Sequence, residues 1–109
     1  MSDASPRFIK IVAIRNPESE TTIETDCLYG ITSSGSVWRA PRAPKGSLQW
    51  TNLHAPDVMI DITVVQDTTR NWETAYALDR HGQIWELTLQ PNPFFAGKEP
   101  HPFQWSRLP

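Results

Sequence analysis

The 109 residues include a single cysteine, Cys27, and no long apolar run. A lone cysteine cannot form an intrachain disulfide, and no segment approaches the roughly 18 consecutive apolar residues of a membrane helix. The N-terminus, MSDASPRFIK, has neither the basic nor the apolar region of a secretory signal, and the chain has no N-x-[ST] acceptor site. These absences predict a cytoplasmic protein that does not enter a membrane.

A large charge of one sign is also missing. The formal net charge is −2 and the isoelectric point is about 5.8, and the basic residues of 39–45 are offset by acidic neighbours on the same predicted face. We therefore expect no nucleic-acid partner. The hydrophobic fraction of 39%, with five tryptophans and four phenylalanines, is sufficient for an apolar core.

Sequence signatures of catalysis and metal binding are missing too. The chain has no G-x-S-x-G elbow, P-loop or G-x-G-x-x-G motif. Its histidines, His54, His81 and His101, are scattered, and Asp79 with His81 supplies at most half a metal site. A turn carboxylate such as Asp79 usually accepts hydrogen bonds from backbone N–H groups of its own turn, and Cys27 is expected to be a small buried hydrophobe. We predict no enzymatic activity, no metal and no cofactor.

The sequence does contain an internal repeat. A block with tyrosine, glycine and tryptophan landmarks recurs 47 residues later, FIKIVAI of residues 8–14 matches MIDITVV 51 residues later, and LQWTNLHAP of residues 48–56 matches FQWSRLP at an offset of 55. The offsets differ because only the connecting loops change in length, as expected for a structural repeat. The landmarks expected to anchor the repeat are Tyr29, Gly35, Trp38, Trp50, Tyr76, Gly82, Trp85 and Trp105.

The matching segments are short, alternating, and rich in β-branched and aromatic residues, which predicts strands. No stretch keeps a helical apolar period long enough for a convincing helix. SSG and RHG form short hairpin connections in which glycine supplies a positive φ. The predicted strands are 8–14, 27–32, 36–40, 48–53, 58–65, 74–79, 83–89 and 103–107.

This pattern, with its Gly-x-aliphatic-Trp and aromatic-x-Trp-x-x-Leu segments, resembles blades of β-propellers. It is most similar to the tectonin and tachylectin type and more distantly to the WD-repeat type. The resemblance implies an all-β fold of two four-stranded antiparallel blades, with a tail at 1–7, blade 1 at 8–56 and blade 2 at 57–109. The second blade has neither the Trp-Asp dipeptide nor the Gly-His opening of WD repeats, so the partners of that family are not carried over.

Two blades are too few for a propeller, because propellers generally close with 4–8 blades. We therefore expect homo-oligomerisation, with a trimer of six blades as the first choice and a dimer or tetramer as alternatives. The rival interpretation is a monomeric eight-stranded β-sandwich.

Variation in loop length is confined to one predicted face of the blades, formed by residues 15–26, 41–47, 66–73 and 88–102. Charged residues there, including the basic group Arg39, Arg42 and Lys45, fit a solvated rim with weak pairing. Aromatic residues in these loops either pack over a blade edge or are offered to a partner. The candidate partner-binding residues are Arg42, Lys45, Arg70, Trp72, Phe94, Phe95 and His101.

The leading functional hypothesis is a non-enzymatic protein-interaction or scaffold module that contacts a protein partner through this loop face. The alternative is a lectin with a tryptophan-lined pocket in each blade. Recurrence of Trp38, Trp50, Trp85 and Trp105 at equivalent strand positions favours a structural role for these four side chains, although a lectin would use some of them.

The oligomeric state is directly measurable. Native mass spectrometry should give an assembly of two or more copies of the 12.4 kDa chain, with three as the first choice, because two blades alone leave sheet faces uncovered. A clean monomer across the micromolar range would contradict the propeller interpretation.

Overall fold

The computed structural model describes residues 7–15, 26–41, 50–67, 72–89 and 103–109. These residues form eight strands and no helix. The strands are β1 (Phe8–Arg15), β2 (Asp26–Thr32), β3 (Val37–Pro41), β4 (Thr51–Asn52), β5 (Met59–Asp67), β6 (Trp72–Asp79), β7 (Ile84–Leu89) and β8 (Ser106–Arg107).

The strands form two antiparallel meanders of four strands each. Sheet 1 has the order β1-β2-β3-β4 and sheet 2 the order β5-β6-β7-β8, which confirms the all-β prediction. The outermost strands are shorter than predicted, since β4 and β8 each have two residues. After β4 the chain turns at His54, whose φ is 53° and whose N–H donates to Oδ1 of Asn52; residues 48 and 49 lie outside the described part.

Strand pairing follows the same register in both sheets. The pairs Tyr29↔Arg39 and Tyr76↔Glu86 stand at the 47-residue offset, and every other described pair of sheet 1 has a counterpart in sheet 2 at the sequence offsets. Even the β-bulge early in β1 recurs at the equivalent place in β5. One arrangement of backbone hydrogen bonds therefore serves both sequences.

The hairpin turns are equivalent as well. Gly35 and Gly82 have φ values of 90° and 84° and donate their N–H groups to the carbonyls of Thr32 and Asp79. Residues other than glycine rarely adopt this backbone conformation, because their Cβ atom crowds the following carbonyl oxygen. The predicted positive φ of both glycines is confirmed.

The two faces of each sheet are distinguished by their aromatic residues, because neighbours along a strand point to opposite sides and paired residues share a side. We term the face with Tyr29 in sheet 1 and Tyr76 in sheet 2 the tyrosine face. The opposite face, with Trp38 in sheet 1 and Trp85 in sheet 2, is the tryptophan face.

The core forms where the tyrosine face of sheet 1 packs against the tryptophan face of sheet 2. The closest approach of the sheets involves β5 with β1 and β2. Cys27 is fully buried in this core, as predicted. The buried cluster comprises Cys27, Tyr29, Ile31, Val37, Leu53, Met59, Ile62, Ala75, Ala77, Leu87 and Leu89.

Adjacent residues of β5 provide a matched test of this core. Met59 is 1% exposed and Ile60 is 52% exposed. We expect Met59→Ala to lower the free energy of unfolding by about 2–5 kcal/mol because it leaves a cavity, and Ile60→Ala to change it by no more than about 0.5 kcal/mol. Urea denaturation measures both, and equal effects of the two substitutions would contradict the described packing.

Candidate functional site

A cluster of three polar side chains is buried between the sheets. Arg39 of β3 donates to Glu73 of β6 through two hydrogen bonds, Nε to Oε1 and Nη2 to Oε2, both 2.9 Å long. The hydroxyl of Tyr29 in β2 donates to the same Oε1. Arg39 is 2% exposed and Glu73 is fully buried, so this parallel fork is a desolvated ion pair.

The pKa values of Arg39 and Tyr29 are shifted by burial and by the neighbouring groups of the cluster. Burial alone would lower the pKa of Arg39, but the hydrogen bond to Glu73 and the neighbouring groups outweigh it and raise the pKa. Burial, together with the negative charge of Glu73, raises the pKa of Tyr29 well above its usual value. The guanidinium carbon also lies 5.8 Å from the centroid of the Tyr29 ring. The cluster therefore contains one cation, one anion and a neutral phenol.

The position of Arg39 corrects the sequence interpretation. We grouped Arg39 with basic residues of a solvated rim, and that assignment is wrong: Arg39 pairs with Tyr29 across β2 and β3 on the buried face. Glu73 was not singled out, although it alternates with Ala75 and Ala77 along β6 and therefore shares their face. This alternation indicates that Glu73 shares a face with buried alanines. It does not identify Arg39 as the partner, because Arg39 lies in the other sheet.

The cluster has no route to a substrate, because Tyr29, Arg39 and Glu73 are all essentially closed to solvent. The ion pair joins β3 of sheet 1 to β6 of sheet 2. Breaking a buried pair by removing one partner is strongly destabilising, since the remaining charge is left uncompensated.

Of the predicted partner-binding residues, the structure describes Trp72, the first residue of β6, which is partly buried. Successive strands of a meander alternate in direction, so the connections β1–β2, β3–β4, β5–β6 and β7–β8 leave from the same end of the two sheets. Trp72 stands at this loop-bearing end. The other candidates, Arg42, Lys45, Arg70, Phe94, Phe95 and His101, lie outside the described residues.

The opposite end of sheet 2 carries the Asp79 turn. Asp79 Oδ1 accepts the backbone N–H groups of His81 and Gln83 at 2.8 and 2.9 Å, and Oδ2 accepts the indole N–H of Trp85 at 2.9 Å. Burial opposes ionisation, but these hydrogen bonds prevail and lower the pKa of Asp79. The predicted turn-capping role is confirmed.

Metal-binding groups do not converge in the described part of the chain. The His81 imidazole lies 3.8 Å from Asp57, where Arg80 also makes an ion pair at 3.3 Å. Within the described ranges, no three His, Cys, Asp or Glu residues are grouped so as to hold a metal ion.

The other recurring tryptophans occupy defined surroundings. The Trp50 ring lies 4.4 Å from the Phe8 ring, measured between centroids, and Trp105 Nε1 donates to the Leu53 carbonyl of the other sheet at 2.9 Å. Trp38 Nε1 is buried and has no acceptor among the residues that the structure describes. Its counterpart Trp85 is satisfied by Asp79, which Thr32 replaces at the equivalent position of sheet 1.

Outside the core, each sheet has one outer face with exposed apolar side chains, and these faces differ. On the tryptophan face of sheet 1, Ile11 is 55% exposed, although Ala40 is buried and the Phe8 ring lies against Gly30; on the tyrosine face of sheet 2, Val65 and Ile84 are 54% and 44% exposed. A hollow beside this face is lined by residues of both sheets, among them Lys10 and Val12 of sheet 1 and Asp61, Tyr76 and Ile84 of sheet 2.

The buried ion pair can be tested by a mutant cycle. Arg39→Met or Glu73→Leu alone should lower the free energy of unfolding by about 3–5 kcal/mol, because each leaves one buried charge unpaired. The triple variant Arg39→Met/Glu73→Leu/Tyr29→Phe removes the whole polar cluster and should recover most of that loss. Urea denaturation of the variants measures the coupling, and additive effects would contradict an interacting cluster.

Comparison with known proteins leaves the chain without a family assignment. No protein-family model matches it, and neither a curated protein sequence nor a solved structure does. No helix formed by the described residues is long and apolar enough to cross a membrane.

Proposed function

We propose that this chain is a non-enzymatic protein-interaction module, built as a small oligomeric β-propeller in which each copy contributes two blades. The observation that carries the proposal is the packing of unlike faces, with the tyrosine face of one sheet on the tryptophan face of the next. Blades of a propeller follow one another in this sense around an axis. The close approach of β5 to β1 and β2 supports a fan of sheets with β1 and β5 innermost.

The partner surface in this proposal is the loop-bearing end. Three of the four connections at that end, residues 16–25, 42–50 and 90–105, are longer than the hairpin turns at the opposite end, which span residues 33–36 and 80–83; the fourth connection, residues 68–71, equals those turns in length. Insertions in repeat proteins collect on one face, often the binding face. Trp72 is a described aromatic residue at this end, and Phe94 and Phe95 belong to the connection between β7 and β8.

Protein binding is favoured over carbohydrate binding because described tryptophans already serve the fold. The indole N–H groups of Trp85 and Trp105 donate to Asp79 and to the Leu53 carbonyl, and the Trp50 ring contacts Phe8. A lectin pocket in each blade would need such rings and donors for sugars. The lectin remains the alternative, and binding on a glycan array would support it.

The experiment compares affinity capture by the wild type, by Phe94→Ser/Phe95→Ser, and by Gln83→Ser. Gln83 is exposed in the hairpin turn at the opposite end and serves as the matched control. We expect one protein to be enriched at least about tenfold by the wild type and the control, and to be lost with the loop variant, since a few aromatic residues dominate binding energy. Quantitative mass spectrometry of the captured material provides the measurement.

Two outcomes would count against this function. Equal capture by the loop variant would remove the loop face from consideration, and loss of capture with Gln83→Ser alone would transfer the binding surface to the hairpin end. The native mass of each variant shows whether the assembly itself is unchanged.

A further inference from the structure

Equivalent positions of the two sheets differ sharply in exposure. Ile62, on the tryptophan face of sheet 2, is 3% exposed, whereas Ile11 at the same position of sheet 1 is 55% exposed. On the tyrosine face the difference is reversed, since Val37 is fully buried and its counterpart Ile84 is 44% exposed. Ile11 and Ile84 are therefore exposed at positions whose equivalents are buried by contact between the sheets.

The two open faces are the two halves of the interface that the chain already makes. Within the chain, a tyrosine face covers a tryptophan face. The faces left over are the tryptophan face of sheet 1 and the tyrosine face of sheet 2, which are unlike and lie on the outer sides of the sheet pair. Such surfaces define a heterologous contact, which closes into a ring when the rotation between copies permits.

We propose that a second copy of this chain docks head to tail, so that its sheet 1 tryptophan face covers the sheet 2 tyrosine face with the same combination of faces as the intrachain interface, but without the Arg39–Glu73 pair. This inference rests on the proposed oligomeric propeller and identifies the surfaces that build it. Ile11 of one copy then takes the place of Ile62, and Ile84 of the other takes the place of Val37.

In the described part of the chain, backbone contacts between the sheets are present at Gly35 and absent at its equivalent in sheet 2, Gly82. Met59 N donates to the Gly35 carbonyl at 3.1 Å, and a Cβ atom placed on Gly35 would come within 2.5 Å of Val58. At Gly82, the equivalent glycine, nothing lies within 4 Å of such an atom. Phe8 is the equivalent of Met59, so the docked copy offers its N–H to the open Gly82 carbonyl.

The inner strands supply complementary charges. Lys10 of β1 forms an ion pair with Asp61 of β5, and the two residues occupy equivalent positions after the shared bulge. In a head-to-tail ring these positions alternate, so each Asp61 also faces the Lys10 of the next copy. At this one pair of positions, opposite charges favour the head-to-tail order of sheets.

The buried ion pair distinguishes the two kinds of interface. The position of Arg39 is taken by Glu86 in sheet 2, so the Arg39–Glu73 pair belongs to the intrachain interface. Loss of the contact between copies should therefore leave the pair of sheets within each copy folded.

Two complementary variants test the docking mode in the full chain. Ile11→Asp blocks the sheet 1 face and Ile84→Asp blocks the sheet 2 face; both side chains are exposed in the single copy, so both variants should fold. A charge buried without a partner should weaken the contact by about 100-fold or more. Native mass spectrometry should therefore show each variant alone as a monomer and the mixture as a 1:1 dimer with no larger species.

The control is Ile60→Asp. Ile60 and its equivalent Ile9 are 52% and 64% exposed, so contact between sheets does not cover this position, and the wild-type assembly should persist. Val65→Asp, on the same face as Ile84, should repeat the result of Ile84→Asp, and circular dichroism verifies folding of every variant.

Several results would overturn the head-to-tail contact. Dimers of either single variant alone would indicate pairing of like faces, a mixture that stays monomeric would show that the two faces do not meet, and a monomeric wild type would remove the contact altogether. The affinity capture that compares the wild type with Phe94→Ser/Phe95→Ser is a separate measurement. Its result tests the proposed partner surface independently of the native masses.

Discussion

The relative position of the two sheets depends on a buried fork between Arg39 and Glu73, to which the hydroxyl of Tyr29 also donates. Apolar packing between flat sheets is non-directional and tolerates sliding. A bidentate ion pair in a desolvated interface is directional, because displacement leaves buried charges without partners. The pair therefore selects which faces meet and in which register, while the apolar residues around it exclude water.

The repeated strand register has a consequence that neither sheet shows alone. Because both sheets have the same pairing pattern, each presents one tyrosine face and one tryptophan face. Contact between unlike faces uses one face of each and leaves the other two unlike as well. A two-sheet chain built in this way therefore has a tryptophan face on one outer side and a tyrosine face on the other.

The hydrogen-bonded polar groups and the connections that differ in length occupy different parts of the fold. The polar groups of the core and of the Asp79 turn are committed to hydrogen bonds within the fold. The two hairpin turns are equal in length, whereas the four connections at the other end of the sheets differ in length. A scaffold of this type can change its loops without altering the register of its sheets, since each strand is fixed by its neighbours rather than by the connection.

The sequence by itself determined the strands, the two positive-φ glycines and the burial of Cys27, because alternation, turn chemistry and the repeat are local or periodic signals. It misplaced Arg39 and gave no weight to Glu73, and it predicted longer outer strands than β4 and β8. Those features required the tertiary structure: a charged side chain is buried or exposed according to its partner, and this partner lies 34 residues away in another sheet. Alternation along a strand assigns each residue to one of the two faces of its sheet. Only the packing of the sheets determines which of those faces is buried.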